Sequence, residues 1–403
     1  MAWLVAIVAT LTMTVSYADR LTLSVLAPTV TKELDISDEA YGWLGSAFAV
    51  AYLFGTPLAG WWIDRAGARR GLVASVLAWS AVAALHAVVP GFWMLFALRL
   101  ALGITEGPGF PGASQTVQRI LPPRDRERGF GVLFTGSSFG AMLIPPLATL
   151  VFRHAGWRVA FLVTAAAGLV WIPLWILVTR SRAVRAELDL HVVTKVSQAE
   201  TRPPFRDLVS HPIVIRALLA IFAVAPMFGF PQNWGAKYLV RTFAMKQGDV
   251  GHYLWLPPLV LDTAAILFGD LASRQRRAEG VPPLALFAIA AALTSTIALL
   301  PLVDTPWQSM LVIGVATAGS GAVYALVTSD LLARMPPGSV SFAGGILAGA
   351  QSVSLFIVNP LIGRAVDRLG NYDAVGISLG LWVIPGCVIW LLWRPPVRFV
   401  ARV

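Results

Sequence analysis

Apolar runs of about 20 residues recur along the whole length of this 403-residue chain, and that repetition leaves very few folds open. Each run is long enough to cross about 30 Å of hydrocarbon as a helix rising 1.5 Å per residue. Twelve are legible, near 2–30, 40–63, 71–89, 92–120, 129–152, 157–179, 213–242, 251–273, 282–303, 307–335, 340–366 and 374–394. The runs are continuous, whereas the strands of a membrane barrel alternate apolar and polar residues, so helices are expected. Composition agrees: 57% of residues are hydrophobic and 13% charged, against roughly 25% charged in a soluble domain. The reading is an all-α membrane protein of twelve transmembrane helices in two six-helix halves.

An N-terminal apolar run can be a cleaved signal peptide. Here no basic stretch precedes it, it is too long for a signal core, and it carries Asp19-Arg20, so it is read as a retained span. The single cysteine, Cys387, allows no intrachain disulfide and no metal cluster. The net charge of +10 is unevenly spread. With the N-terminus placed in the cytoplasm, 20 of the 31 Lys and Arg residues fall on the cytoplasmic side, 7 on the other, and Arg20, Arg99, Arg216 and Lys237 within spans. By the positive-inside bias both termini are cytoplasmic, and the chain belongs to a cell (inner) membrane. The basic excess orients the protein and touches anionic lipid. No basic stretch carries the interleaved aromatics of a nucleic-acid face, so nucleic acid is not an expected partner.

In the first half, four ionisable residues sit inside two of the apolar spans: Asp19 and Arg20 in the first, Arg99 and Glu106 in the fourth. A charge at bilayer depth costs at least about 2.5–3.5 kcal/mol, so it persists where it pairs or lines a watery cavity. Arg99 and Glu106 are seven apart, about two helical turns, and share a face about 10 Å apart along the axis. Both can face one cavity. Asp19 and Arg20 project about 100° apart, so one can face that cavity while the other pairs across to the fourth span. A guanidinium binds a carboxylate through a two-pronged fork, whereas a partly buried carboxylate can take up a proton. The alternative is a static set of ion pairs bridging the two helices, but buried pairs are poor as mere glue. Helix-breaking residues from Gly107 to Gly112 beside Glu106 would loosen this helix for rocking.

The longest polar connection, from Thr179 to His211, contains Pro203-Pro204 and divides six spans from six. The expected organisation is a first bundle at 1–180, a cytoplasmic linker at 181–211 and a second bundle at 212–403. Gly60-Trp61-Trp62-Ile63-Asp64-Arg65 is echoed at Gly269-Asp270-Leu271-Ala272-Ser273-Arg274, 209 residues on, as repeated halves would give. Extended through Ala66-Gly67-Ala68-Arg69-Arg70, the first copy matches the G-x-x-x-D-R-x-G-x-R-R signature of the major facilitator superfamily, which the chain therefore resembles. Physically, the glycines suit a tight turn, Asp64 can accept from a neighbouring helix N-terminus, and the arginines hold the cytoplasmic side. Gly60, Asp64, Arg65, Gly67, Arg69 and Arg70 are the expected gating loop.

Further in, Tyr17-Ala18-Asp19-Arg20, the stretch from Arg99 to Gly107, Gly136-Ser137-Ser138-Phe139-Gly140-Ala141 leading to Pro145-Pro146, and Gly156-Trp157-Arg158 resemble the anion:cation symporters, most closely the hexuronate and aldonate transporters. The second half agrees more loosely through Lys237-Tyr238-Leu239, Ser329-Asp330 and Pro360-Leu361-Ile362-Gly363. The resemblance implies uptake of a small organic anion with protons by alternating access, with Asp19 and Glu106 as protonation sites and Arg20 and Arg99 as anion partners. It implies no cofactor, no metal, no enzymatic step and a working monomer.

Tyr17 can hydrogen-bond substrate, or simply pack. Lys237 can meet substrate or pair with Asp262, and Gln351 and Asn359 are candidate second-half partners for sugar hydroxyls. Ser320 and Val323 stand where hexuronate transporters carry an aromatic and an amide, so the residues support an organic anion without naming which. A proton-driven exporter of the same superfamily is the alternative, and it would carry G-x-x-x-G-P in span five, which Gly136 to Pro146 lacks. A non-transporting membrane sensor or enzyme is further off, since no loop holds a catalytic or signalling domain.

Overall fold

The computed structural model describes residues 1–189, 205–275, 284–335 and 340–395. Pro203-Pro204 and the middle of the expected linker, 190–204, lie outside them. The described elements are helical: α1 (Ala2–Glu33), α2 (Asp38–Ala66), α3 (Ala68–Leu85), α4 (Phe92–Glu106), α5 (Gly109–Ile120), α6 (Pro123–Val178), α7 (Arg182–Asp189), α8 (Phe205–Val209), α9 (Pro212–Asn233), α10 (Gly235–Phe243), α11 (Gly251–Leu254), α12 (Leu256–Arg274), α13 (Leu284–Ser295), α14 (Pro306–Arg334), α15 (Val340–Leu369) and α16 (Asp373–Leu392), with three short 3-10 turns.

Local chemistry sets several boundaries. Ser37 caps α2 by accepting from the Ala40 amide at 3.1 Å, with Asp38 and Glu39 complementing the helix dipole in the first turn. Thr305 and Gln308 form a reciprocal capping box at the start of α14. Within α1, the hydroxyls of Thr10, Thr22 and Thr31 donate to carbonyls four residues back at 3.0, 2.7 and 2.8 Å, which satisfies them inside an apolar helix.

Ten described helical segments are long and apolar enough to cross a membrane. The count differs from the number of apolar runs for identifiable reasons. The run at 92–120 is interrupted at Gly107-Pro108, giving α4 of 15 residues and α5 of 12. The runs at 129–152 and 157–179 both fall in α6, which is two helices meeting at Gly156, so they count as one segment. The chain bends at Gly156, where φ 81° and ψ 173° suit only glycine. The run at 213–242 also breaks, at Trp234 between α9 and α10, without changing the count, since α9 alone is long enough.

The chain forms two compact units. One comprises Met1–Lys195 with Gln232–Trp255, the other Val196–Pro231 with Leu256–Val403. In the first, α1 packs on α6, α5 and α10, while α2 lies on α4 and α3 on α6. Its core gathers Trp79, Trp171 and Trp175 with Val5, Leu72, Leu102 and Val117. In the second, α14 packs on α12, α13 and α15, and α16 on α13 and α15.

Candidate functional site

The four ionisable residues converge in the first unit, where α1, α2 and α4 meet. Gly103 makes this approach possible: a Cβ there would lie 2.7 Å from the Phe48 carbonyl oxygen and 2.8 Å from the Ala51 Cβ. Its absence brings α4 against the turn of α2 that carries Phe48 and Tyr52.

Arg20 is the α1 residue that pairs across to α4. Its Nη2 and Nε donate to Glu106 Oε2 at 2.9 and 3.3 Å, and Ser16 Oγ, one turn earlier on the same face, donates to that oxygen at 2.8 Å. Glu106 is buried, and its Oε1 has no hydrogen-bond partner. Three rings surround the Arg20 guanidinium: Phe48 at 4.5 Å, Tyr17 at 4.9 Å and Tyr52 at 4.9 Å from ring centroid to Cζ. Such faces attract a cation.

Arg99 is held differently. It is only 2% exposed, its Nη1 makes a long 3.4 Å contact with the Arg20 carbonyl, and its Nε has no partner. Its Cζ sits 4.9 Å from the Phe48 centroid, so one ring serves both guanidiniums. Asp19 is equally buried, and among the described residues neither of its carboxylate oxygens is hydrogen-bonded and no ion pair joins it to Arg99. The static reading, in which all four charges pair off, is therefore not what the structure contains. One acid and one base pair; the other two carry unmet bonding capacity.

Phe48 and Tyr52 were not singled out in the sequence. Their signal was available: two aromatics four apart on the second span, stacked at 5.7 Å, form one ridge along the helix.

The segment expected to form the gating loop differs in part from that expectation. Gly67 does form the turn between α2 and α3, with φ 76° and ψ 146°. Gly60 does not: it lies inside α2, and a Cβ there would meet nothing within 4 Å. Asp64 accepts from the Gln115 side-chain amide at 2.9 Å rather than from a helix N-terminus, because the partly exposed flank of α5 is what faces it. On the first turn of α3, half-buried Arg69 accepts at its carbonyl from the Trp175 indole at 3.1 Å, and Arg70 beside it and Arg65 at the end of α2 are exposed. In the echo of this motif, Asp270 pairs with Arg274 at 2.8 Å on the exposed end of α12. The Gly156 bend lets Trp157 and Arg158 both donate to Glu33 at the end of α1.

Lys237 is in the first unit and makes its ion pair with Asp38 at 2.6 Å, with Thr31 Oγ1 accepting at 2.8 Å. Arg241 shares Asp38. In the second unit, Asn359 is buried and Gln351 half-buried on α15. Ser320 is buried and donates to the Val224 carbonyl at 2.9 Å, tying α14 to α9.

Many apolar helices in two units, with ionisable groups buried at span depth, define a multi-pass membrane protein of the transporter class. Residues 8–358 match the Major Facilitator Superfamily, and the chain belongs to that family. It is 24% identical to a probable galactarate/D-glucarate transporter of Bacillus subtilis over 99% of this chain and 93% of that protein. It is 23% identical to the hexuronate transporter of Escherichia coli over 99% and 96%, and 26% identical to an Escherichia coli D-galactonate transporter over 86% of each. The fold is similar to the crystal structure of a bacterial homologue of the human lysosomal transporter Spinster in an inward-facing, unoccupied conformation, with a TM-score of 0.78, 18% identity and 96% of both chains covered.

Proposed function

We propose that this protein takes up a small organic anion, of the hexuronate, aldonate or aldarate type, together with protons by alternating access. Twelve crossings in two halves, with both termini in the cytoplasm of a cell whose inner membrane holds the protein, complete the reading. The observation that carries it is Arg99: a guanidinium 2% exposed that forms no salt bridge among the described residues, next to a second guanidinium already paired. A buried cation of this kind is costly unless an anion meets it, and a substrate carboxylate supplies that anion through a two-pronged fork.

The proton enters the same account. Glu106 and a substrate carboxylate compete for Arg20. When Glu106 takes a proton, its hold on Arg20 weakens, and the guanidinium turns its donors to the substrate. When the substrate leaves, Glu106 gives up the proton and recaptures Arg20. Asp19, buried without a hydrogen-bond partner, is uncompensated as an anion and is the second proton site. Tyr17 positions Arg20 and can donate to substrate. Lys237, Gln351 and Asn359 are proposed as further substrate contacts carried by the later spans. Named as transporters of hexuronate, galactarate or galactonate, the relatives support the substrate class.

The test is uptake of labelled glucuronate, galactonate and glucarate into proteoliposomes, with and without an inward-directed pH gradient. Accumulation of at least one of them driven by the gradient, and lost in Arg99→Ala, is the expected result. Uptake that ignores the gradient, or survives in Arg99→Ala, would overturn the reading.

A further inference from the structure

A cavity of about 390 Å³ lies between the first three turns of α3 and the last turn of α6, away from the charged cluster. Arg69 and Arg70 line one end, and Val73, Leu77 and Ile176 line the rest. Its floor is rigid: Trp175 is fully buried, donates its indole N–H to the Arg69 carbonyl at 3.1 Å and stacks on Trp171 at 5.3 Å. Its wall is not covered by protein, since Leu77 is 47% and Ile176 46% exposed on helices that cross the membrane. Arg70 makes no hydrogen bond or ion pair among the described residues.

The charges sit where the two helices end and the apolar wall runs inward along them from that end. This is the order of groups along a phospholipid: an anionic phosphate at the membrane surface, then an acyl chain. We propose that this groove is a binding site for an anionic phospholipid, with its phosphate on Arg70 and Arg69 and an acyl chain along Val73, Leu77 and Ile176. Basic pockets at the ends of membrane helices suit anionic headgroups. A free phosphate would gain nothing from the apolar wall, and a zwitterionic lipid would bring its own cation towards two guanidiniums.

The purified full chain in dodecyl maltoside micelles, titrated with phosphatidylglycerol or phosphatidylcholine and read by native mass spectrometry, tests this. Wild-type protein should retain phosphatidylglycerol at a concentration about tenfold below that needed for phosphatidylcholine. Arg70→Gln should weaken phosphatidylglycerol about fivefold, the loss expected for one arginine at a membrane surface, and leave phosphatidylcholine unchanged. Arg70→Lys should retain most of the preference. Leu77→Trp, on an exposed position and without change of charge, should weaken both lipids by filling the wall. Unchanged phosphatidylglycerol retention in both Arg70→Gln and Leu77→Trp would overturn the proposal. So would displacement of the lipid by millimolar inorganic phosphate, which would make the groove a free-anion site.

Discussion

Replacing Glu106 by glutamine should uncouple substrate binding from the pH gradient, and its size follows from the contacts of a single oxygen. Glu106 Oε2 accepts from Ser16 at 2.8 Å and twice from Arg20 at 2.9 and 3.3 Å. A hydrogen bond to a charged group contributes about 1.5–3 kcal/mol and a neutral one about 0.5–1.5, so the amide holds Arg20 less tightly by about 1–1.5 kcal/mol. A substrate carboxylate competing for Arg20 then binds roughly five- to tenfold more tightly at a pH where the wild-type acid is ionised. The glutamine cannot release a proton, so the empty carrier cannot reset with the gradient. Counterflow of labelled substrate should persist in Glu106→Gln proteoliposomes while gradient-driven accumulation falls to background on the same preparation. The pH dependence of substrate affinity should flatten as well. Undiminished gradient-driven accumulation would remove Glu106 from the proton path. Weakened binding with no change in coupling would show that it acts only as a brace for Arg20.

Arg99→Met should abolish substrate binding yet leave the melting temperature unchanged or higher, because it removes a buried cation that forms no salt bridge among the described residues; a marked fall in melting temperature would show that Arg99 is structural. Arg20→Lys should lower gradient-driven uptake at least tenfold, since an ammonium can neither fork onto a carboxylate nor lie flat among three rings; normal uptake would argue against a two-pronged anion contact. Asp38→Asn deprives Lys237 and Arg241 of their shared carboxylate. With Arg241 40% exposed the cost is near the low end for a buried pair, about 3 kcal/mol, so amides of α10 should exchange with solvent roughly 100-fold faster; unaltered exchange would show that other contacts hold the segment.

The sequence determined the class of fold because the physics of a bilayer acts on short stretches of chain. A run of about 20 apolar residues must become a helix that satisfies its own backbone, whatever the rest of the chain does. The same reasoning picked out Asp19, Arg20, Arg99 and Glu106, since a charge at membrane depth is conspicuous and costly wherever it lies. Gly67 was legible because its loop signature demanded a backbone only glycine adopts easily. Tertiary structure decided the partners. Whether Asp19 or Arg20 reaches across to Glu106 depends on how α1 is rotated against α4, and a spacing of one residue allows either. That Phe48 faces both guanidiniums depends on Gly103 letting α2 approach α4 across 55 residues of chain. Lys237 reaches Asp38, almost 200 residues earlier in the chain, because α9 ends at Asn233 and α10 packs on α1. Periodicity reports which face of a helix is apolar; it carries no record of which helix that face will meet, and in this protein the pairing of buried charges is settled by that meeting.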